Sequence, residues 1–333
     1  MTDPIDPSDE LGSPLDFAVD QQSRLTMATV RRAVARGDAV LAYQPVVQSG
    51  RPQHVAFHEG LIRIIDETGR IVPLRDFMPL AETTELGRQI DCLSLSLGLK
   101  TLAEEPSIRL SINMSARSIG YPAWIRTLRQ GMNGDSSIGE RLILEITESS
   151  AMGLPEMVGR FMSELQASGV SFALDDFGAG YTSFRYLRDF CFDMIKIDGQ
   201  FVRDISAQRD NQVLARALQS IAHQFDMFTV AEMVETAEDA AYLIDMESTA
   251  CRAITSARRP SCRPGALRAR RRNGSRPRAR GGAERSGLGA WARPGGLSAL
   301  SSIKPAQVRL TPRRETATCP RRRHFGTQGR SLT

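Results

Sequence analysis

The acidic pair formed by Asp175 and Asp176 stands between an apolar run, residues 172–174, and a glycine-rich turn, FGAGYTS. Adjacent carboxylates repel each other, so packing alone does not favour such a pair. A hard divalent cation takes oxygen ligands and would remove the repulsion. The small residues of the turn offer backbone N–H groups to an anion beside that cation. The stretch therefore predicts a metal site next to an anionic ligand, with a strand and an Asp-rich turn as the purely structural alternative.

Further polar residues lie at or just past the ends of other predicted strands. They are carboxylates, one amide and one lysine, without histidine or cysteine: Glu59, Asn113, Glu145, Glu148, Lys196, Asp198, Glu232 and Glu235. Taken singly, each fits a strand-end charge, a turn former or a solvated side chain. Together they predict oxygen ligation, which suits Mg²⁺ or Mn²⁺ better than zinc. Shared aspartates favour two ions held close together, as in sites for in-line phosphoryl displacement.

The elements that must position these residues alternate between strands and helices. Strands are predicted at 40–47, 55–65, 108–115 and 142–147, in the DDFG segment, and at 194–197 and 228–232. Helices are predicted at 21–36, 82–104, 123–132, 154–168 and 211–225. The strands are apolar on both faces, which favours a parallel sheet covered by helices. Seven units predict a TIM-like (β/α)8 barrel lacking one unit, whose strand ends would meet at one mouth.

Six motifs, taken in order, carry a family resemblance. They read HEGLIR at 58–63, SINMS at 111–115, LEITES at 144–149, DDFGAGYTS at 175–183, KIDG at 196–199 and AEMVET at 231–236. The set resembles the EAL domain, the cyclic di-GMP phosphodiesterase barrel, over about residues 26–246. The resemblance implies an α/β fold of the TIM-like (β/α)8 type. It also implies hydrolysis of one phosphodiester of cyclic di-GMP to linear pGpG, the reaction of a cyclic-guanylate-specific phosphodiesterase.

The resemblance further implies a role for each matching residue. Two Mg²⁺ or Mn²⁺ ions would be held by six residues: Glu59, Asn113, Glu145, Asp175, Asp176 and Glu232. Lys196 would position or polarise the attacking water, and Glu232 would act as base or as a metal-site carboxylate. Leu61 and Arg63 would contact the substrate. Glu148 would steady the loop 177–183, which in the family couples the metals, the substrate and the dimer interface, so an intact barrel implies a homodimer.

The sequence departs from the family pattern in three places. Gly60 stands where the family has Ala or Val, which we expect to cost local rigidity, and Met233 replaces the usual Gly, where a bulky side chain could crowd the site. The family's eighth strand, reading roughly QGYxFGxP, is absent, so we expect this strand to be missing or replaced by a disordered basic tail. With suitably chosen synonymous codons, residues 248–260 read in another frame give DCMQGYYFGAP. Our hypothesis is that a frameshift displaces the sequence after Glu247.

The charge is distributed unevenly along the chain. Of 43 basic residues, 21 lie in the Arg-, Pro- and Gly-rich stretch 248–333, which holds only two of the 38 acidic residues. The predicted organisation is a disordered leader at 1–20, an EAL domain at 21–247 with an incomplete barrel, and an out-of-frame, disordered tail at 248–333. The basic tail also allows nucleic-acid binding. Its aromatic residues are not interleaved with its basic ones, which disfavours that alternative.

The remaining sequence features concern location and activity. No apolar run approaches the roughly 18 residues of a membrane span, and the acidic, Pro-containing N-terminus is unlike a signal peptide. Five cysteines without a CxxC pair predict a reduced, cytoplasmic protein with no membrane partner. A second alternative is a cyclic di-GMP receptor that does not hydrolyse its ligand, or an inactive EAL remnant. A barrel left open would expose two strand edges, so we expect this chain to be poorly soluble.

Overall fold

The structure is a computed structural model, and it describes residues 14–179, 187, 190–247 and 253–257. The strands are β1 Ala39–Gln48, β2 Arg51–Ile65, β3 Ile71–Val72, β4 Leu110–Asn113, β5 Leu142–Thr147, β6 Ser171–Phe177, β7 Met194–Ile197, β8 Phe228–Val234 and β9 Ala253–Ala257. The helices are α1 Pro14–Arg36, α2 Met78–Ala81, α3 Glu85–Glu104, α4 Pro122–Met132, α5 Ser137–Arg141, α6 Glu148–Gly153, α7 Pro155–Gln166, α8 Gly199–Val202, α9 Arg209–Gln224 and α10 Ala237–Glu247.

The strands form one sheet that closes on itself. β2, β4, β5, β6, β7, β8 and β9 pair in parallel in that order, and β1 pairs antiparallel with both β2 and β9. The short β3 extends the sheet beside β2. The predicted barrel class is therefore confirmed. The direction of β1 corrects the expectation of an all-parallel sheet, because only Ser49 and Gly50 separate β1 from β2 and so short a connection permits only an antiparallel pair.

The expectation of a missing eighth strand is also corrected. β9 occupies the gap, pairing Ile254 with Val230 of β8 and Thr255 with Val47 of β1. The backbone groups of two facing strand edges can be satisfied by any extended segment without proline, whatever its side chains. Closure of the ring therefore does not require the family's QGYxFGxP sequence. The proposed out-of-frame origin of this segment is not tested by its placement, and residues 258–333 lie outside the described residues.

Helix α1 begins earlier than the sequence pattern predicted. It starts at Pro14, whereas the pattern placed its first turn at Gln21, so the residues from 14 to 20 are helical. The earlier part of the predicted leader, residues 1–13, lies outside the described residues. Among the described helices, none is both long and apolar enough to cross a membrane.

Helix α3 illustrates how the outer layer packs on the barrel. The hydroxyl of Thr84 caps its first turn by accepting a hydrogen bond from Leu86 N. Gly98 lies where an added Cβ would come within 2.7 Å of Ile112 Cδ1, so the helix approaches β4 closely at this point. At the C-terminal end of α3, the Arg141 guanidinium donates to the carbonyls of Leu102 and Glu105, which anchors that end beside the start of β5.

A cluster of buried apolar side chains fills the inside of the barrel. We call it the apolar plug, and its buried members are Val46, Phe57, Ile143, Ala173, Met194 and Val230. Each comes from a different strand, and side chains of a strand alternate between its two faces. The residue two positions further along each parallel strand therefore points into the same interior, one layer nearer the mouth.

Candidate active site

The layer above the apolar plug is polar. Adding two to the positions of five plug residues gives five ionisable side chains, which we call the polar ring: Glu59, Glu145, Asp175, Lys196 and Glu232. Four of the five are buried, and the Glu232 side chain is 18% exposed. Side chains two residues apart on a strand point to the same face, so on five strands the apolar layer of the interior is followed directly by a charged layer.

Lys196 is the centre of the polar ring. Its Nζ lies 2.8 Å from Asp175 Oδ1, 2.8 Å from Glu232 Oε1, 2.9 Å from Glu145 Oε2 and 3.4 Å from Glu59 Oε1. The lysine side chain is only 2% exposed. One ammonium therefore faces four carboxylates out of reach of bulk water, and the ring retains an excess of negative charge.

The pKa values of the ring are set by this arrangement. Burial raises the pKa of Glu145 to about 8, with Lys196 opposing the rise and the carboxylates of Glu59 and Asp175 adding to it. Burial likewise raises the pKa of Glu232 to about 7. For Lys196, burial lowers the pKa, but the surrounding carboxylates outweigh it and hold the pKa well above its usual value. Lys196 thus stays protonated, but its single positive charge does not balance the four carboxylates of the ring.

Three carboxylates of the site lie close enough to share one cation. Oxygen atoms of Asp175, Asp176 and Glu232 all lie within 4.8 Å of one another. Buried Glu145 Oε1 has no hydrogen-bond partner among the described residues, which leaves one lone-pair donor beside the group. Asn113, the last residue of β4, pairs in register with Glu145 on β5. The donor set is oxygen throughout, so it fits a hard divalent cation.

The backbone around the acidic pair departs from a regular strand. Asp176 has a φ of 54°, in the left-handed region, and the register between β6 and β7 shifts between Leu174 and Phe177. This irregularity lets two consecutive aspartates face the same site, whereas a regular strand would point them to opposite faces. Glu148 Oε2 accepts a hydrogen bond from Gly178 N at 3.0 Å, which ties α6 to the turn after the pair. The rest of that loop, 180–186, lies outside the described residues.

The two predicted substrate contacts lie on the same face of β2 as Glu59. Leu61 and Arg63 come after it at intervals of two residues, towards the mouth end of the strand. Arg63 Nη1 donates to Ile62 O at 2.9 Å. The structure thus places Arg63 two layers above the polar ring, where its guanidinium is partly buried.

Two departures from the family pattern have physical counterparts. An added Cβ at Gly60 would lie 2.8 Å from Ile112 Cδ1. The side chain of Ile112 therefore occupies the space that the family's Ala or Val would need at position 60. Met233 has a φ of 51°, a conformation that glycine adopts freely and methionine does not. Its side chain is half exposed and lies over Gly199, where an added Cβ would come within 2.5 Å of Met233 Sδ.

Sequence reasoning missed two residues that hold the segment after Asn113. Asp91 of α3 and Ser150 of α6 both accept hydrogen bonds from the backbone just after Asn113. The sequence signal was an acid at position 91 directly beside Ile90, Cys92 and Leu93 in a predicted helix. Such a residue marks a partner on another element, but it does not reveal which one.

The chain was compared with protein families and with individual proteins, and both comparisons found matches. The family model of the EAL domain matches residues 27–252. The cyclic di-GMP phosphodiesterase PdeB of Shewanella oneidensis is 30% identical over 216 residues, covering 63% of this chain and 25% of that protein. The probable cyclic di-GMP phosphodiesterase PdeG of Escherichia coli is 30% identical over 226 residues, covering 64% and 43%. The chain thus spans between a quarter and a half of the length of these two relatives.

A solved structure agrees in fold. The PaMucR phosphodiesterase, determined as a c-di-GMP complex, has a TM-score of 0.61 and 27% sequence identity, covering 70% of this chain and 94% of that one. The FimX EAL domain from Pseudomonas aeruginosa, bound to c-di-GMP, has a TM-score of 0.62 at 24% identity, which supports the fold alone. The family match covers more than half of the chain, and the barrel with its ring of carboxylates agrees with it: this chain belongs to the EAL domain family.

Proposed function

We propose that this chain is a metal-dependent phosphodiesterase that hydrolyses cyclic di-GMP to linear pGpG. The observation that carries the proposal is the polar ring, in which a buried lysine faces four carboxylates at the mouth of an EAL barrel. A purely structural core would not bury five ionisable groups together, because the desolvation cost is several kcal/mol per ion. Two matched relatives named as phosphodiesterases of this compound, one as probable, support the choice of substrate.

The chemistry of the donor set supports two ions of Mg²⁺ or Mn²⁺. The carboxylates of the ring together with Asp176, set against Lys196, carry a formal charge of minus four, which two divalent ions would balance. The holders would be the six oxygen donors predicted from the sequence: Glu59, Asn113, Glu145, Asp175, Asp176 and Glu232. Bound there, the ions would supply Lewis acidity to a phosphodiester and to water.

The residues of the ring take distinct roles in this proposal. Lys196 has three N–H donors beside four carboxylates, and in the proposed role one N–H turns from a carboxylate to a water and orients that water for attack. Glu232 is the most exposed carboxylate of the ring, and from the mouth it can accept the proton of that water or serve as a metal-site carboxylate.

The remaining site residues would hold the substrate and the loop. Arg63 would contact a phosphate, and Leu61 would contact the substrate below it. Glu148, through Gly178, would hold the turn after the acidic pair. A homodimer and a cytoplasmic location belong to the same proposal.

The test is hydrolysis by the purified full chain. We expect linear pGpG to form from cyclic di-GMP with Mg²⁺ or Mn²⁺ and not with a chelator, measured by chromatography of the nucleotides. Lys196→Met should abolish turnover, whereas the matched control Lys100→Met, at an exposed lysine of α3, should retain it. Binding of cyclic di-GMP without turnover would overturn the proposal and establish the receptor alternative. Absence of binding, with retention of DNA or RNA at low salt, would favour the basic tail as the functional part.

A further inference from the structure

A buried carboxylate outside the ring holds the loop that comes after a predicted metal ligand. Asp91 lies on α3 and is 6% exposed. Its Oδ2 accepts two hydrogen bonds, from Ser115 N at 3.0 Å and from Ser118 Oγ at 2.6 Å. Both donors belong to the 114–118 segment, which comes directly after Asn113 at the end of β4. One carboxylate oxygen thus fixes both ends of a short turn.

The same segment is held from its other side by the neighbouring strand and helix. Met114 N donates to Glu145 O at 2.9 Å, which extends the pairing of β4 with β5 by one residue. Ala116 N donates to Ser150 Oγ at 2.7 Å, and Ser150 lies on α6, the helix that begins with Glu148. The segment is therefore connected to Glu145 and to α6 through its backbone, and to α3 through Asp91.

Asn113 depends on this segment more than the other proposed ligands depend on their loops. A carboxylate is drawn to a cation by its charge, whereas an amide oxygen is neutral and must be placed by geometry. β4 is four residues long and ends at Asn113, so the strand itself guides this residue from one side only. The 114–118 segment on the other side must supply the rest of the constraint.

The position of Asp91 is costly unless it serves a purpose. It is removed from water, and burial raises its pKa to about 6, against which the hydrogen bonds from Ser118 and Ser115 act. Both of these donors, a hydroxyl and a backbone N–H, are neutral.

We infer that Asp91 is a positioning residue that fixes the amide of Asn113 towards the metal-binding carboxylates, by holding the 114–118 segment against α3. The inference rests on the metal site of the proposed function. In this role Asp91 itself contacts neither the ring nor the metal or the substrate. Its contribution is to the affinity of the site for its ion and only through that to the rate.

The experiment measures Mn²⁺ binding to the full chain by electron paramagnetic resonance titration, together with the melting temperature of the metal-free protein. Asp91→Ala should weaken Mn²⁺ binding about tenfold or more, the usual effect of removing a residue that orients a ligand. Asp91→Asn keeps an oxygen that can accept from both Ser115 N and Ser118 Oγ, so it should retain the affinity. Ser118→Ala removes one of the two bonds and should give a smaller loss in the same direction.

The control is Asp193, which has the same hydrogen-bonding pattern at the other end of the barrel. Its Oδ2 accepts from Phe172 N at 2.9 Å and from Gln166 Nε2 at 3.1 Å, before β7 begins. Asp193→Ala should lower the melting temperature without changing Mn²⁺ affinity. If Asp91→Ala and Asp193→Ala lower the melting temperature alike and both leave the affinity unchanged, Asp91 is only structural and the inference is wrong.

The readout separates this inference from the proposed activity. If the wild-type chain binds Mn²⁺ and Asp91→Ala weakens binding, the positioning role stands even when no cyclic di-GMP is hydrolysed. If the wild-type chain hydrolyses cyclic di-GMP but Asp91→Ala binds Mn²⁺ as tightly as the wild type does, the proposed function stands and the positioning role fails. Failure of the wild-type chain to bind Mn²⁺ at all would overturn the inference together with the metal site.

Discussion

The apolar plug and the polar ring are two layers of the same strands, separated by two residues on each. The plug holds Phe57, Ile143, Ala173, Met194 and Val230, and the ring holds the residue two positions later on each of these strands. Both layers lie on the same strands, and apart from the partly exposed Glu232 their side chains are buried. They differ in side-chain chemistry: the plug is apolar and contributes to stability, whereas the ring is ionisable and forms the candidate active site.

The two layers together show how a protein keeps like charges close to one another. The ring opposes folding, because its carboxylates repel one another and lose their hydration. The plug favours folding through the burial of apolar surface directly beneath. The ring is thus held in place by a layer that takes no part in its chemistry. Loss of the ammonium from the ring should therefore lower both activity and metal-free stability, whereas a variant of the plug should lower stability alone.

The largest effect is expected from removing the positive charge of the ring. Lys196→Met leaves four buried carboxylates without their shared ammonium, so the metal-free protein should lose about 3–5 kcal/mol of unfolding free energy. On the proposed function, turnover of cyclic di-GMP should fall about 10³-fold. Urea unfolding with and without Mn²⁺ measures the first effect, and added metal should restore part of the loss. A metal-free stability equal to that of Lys100→Met would show that the ammonium does not hold the ring together.

A variant of the plug should lose stability but keep its activity. Phe57 is 3% exposed, and Phe57→Ala should cost about 3–5 kcal/mol by creating a cavity under the ring. The rate per folded molecule should stay close to that of the wild type, since no ionisable group is removed. Chemical unfolding and an activity assay on the same samples give both numbers. A large loss of rate at full folding would show that the two layers are not separable.

Asp91 extends the comparison to a buried charge outside the barrel. Its folded-state pKa of about 6 lies above the ordinary 3.8, so the folded protein binds this proton more tightly than the unfolded chain does. Its contribution favours folding below pH 4 and is lost as the pH rises from 4 to 6, by on the order of 3 kcal/mol. The difference in unfolding free energy between wild type and Asp91→Asn, measured across this range, should change by that amount. A difference that is flat with pH would refute the burial of this charge.

The smallest effect concerns Met233, which follows the ring residue Glu232 in the sequence. A methionine with a positive φ carries about 1–2 kcal/mol of backbone strain, and glycine recovers it while gaining flexibility in the unfolded chain. Met233→Gly should therefore stabilise the protein by about 0.5–1 kcal/mol in urea unfolding. Met233→Ala is the matched control, because it removes the side chain but keeps the strained Cβ. A gain in Met233→Ala equal to that in Met233→Gly would assign the effect to side-chain crowding.

The sequence predicted much of the ring because each of its residues lies in the C-terminal half of a strand of strong apolar character, although none of them is the last residue of its strand. The strands 142–147 and 194–197 have the predicted limits, and the rule that parallel strand ends meet at one mouth brings Glu145 and Lys196 together. The direction of β1 could also have been predicted. Only seven residues separate the two predicted strands 40–47 and 55–65, too few for the helix that a parallel connection needs.

Other features could not be predicted because they depend on contacts between distant residues. Asp91 finds its partners 24 and 27 positions away, across a helix and a strand. The closing strand β9 forms from AITSA, a segment without the family's motif, because the open edges of β1 and β8 supply the pairing groups. The strain at Met233 arises from the bend of the chain after Glu232, which local propensity does not encode.

The reversed direction of β1 determines at which end of the barrel α1 is attached. Ala39 pairs with Ile64, beyond Glu59 on β2, and Ile65 N donates to Asp38 O at 2.9 Å. The helix therefore joins the barrel on the side of the mouth, although every parallel strand begins at the opposite side. The strand that carries Glu59 and Arg63 is thus the hydrogen-bonded partner of the strand that follows α1. The end of the barrel that holds the polar ring is also the end to which α1 is joined.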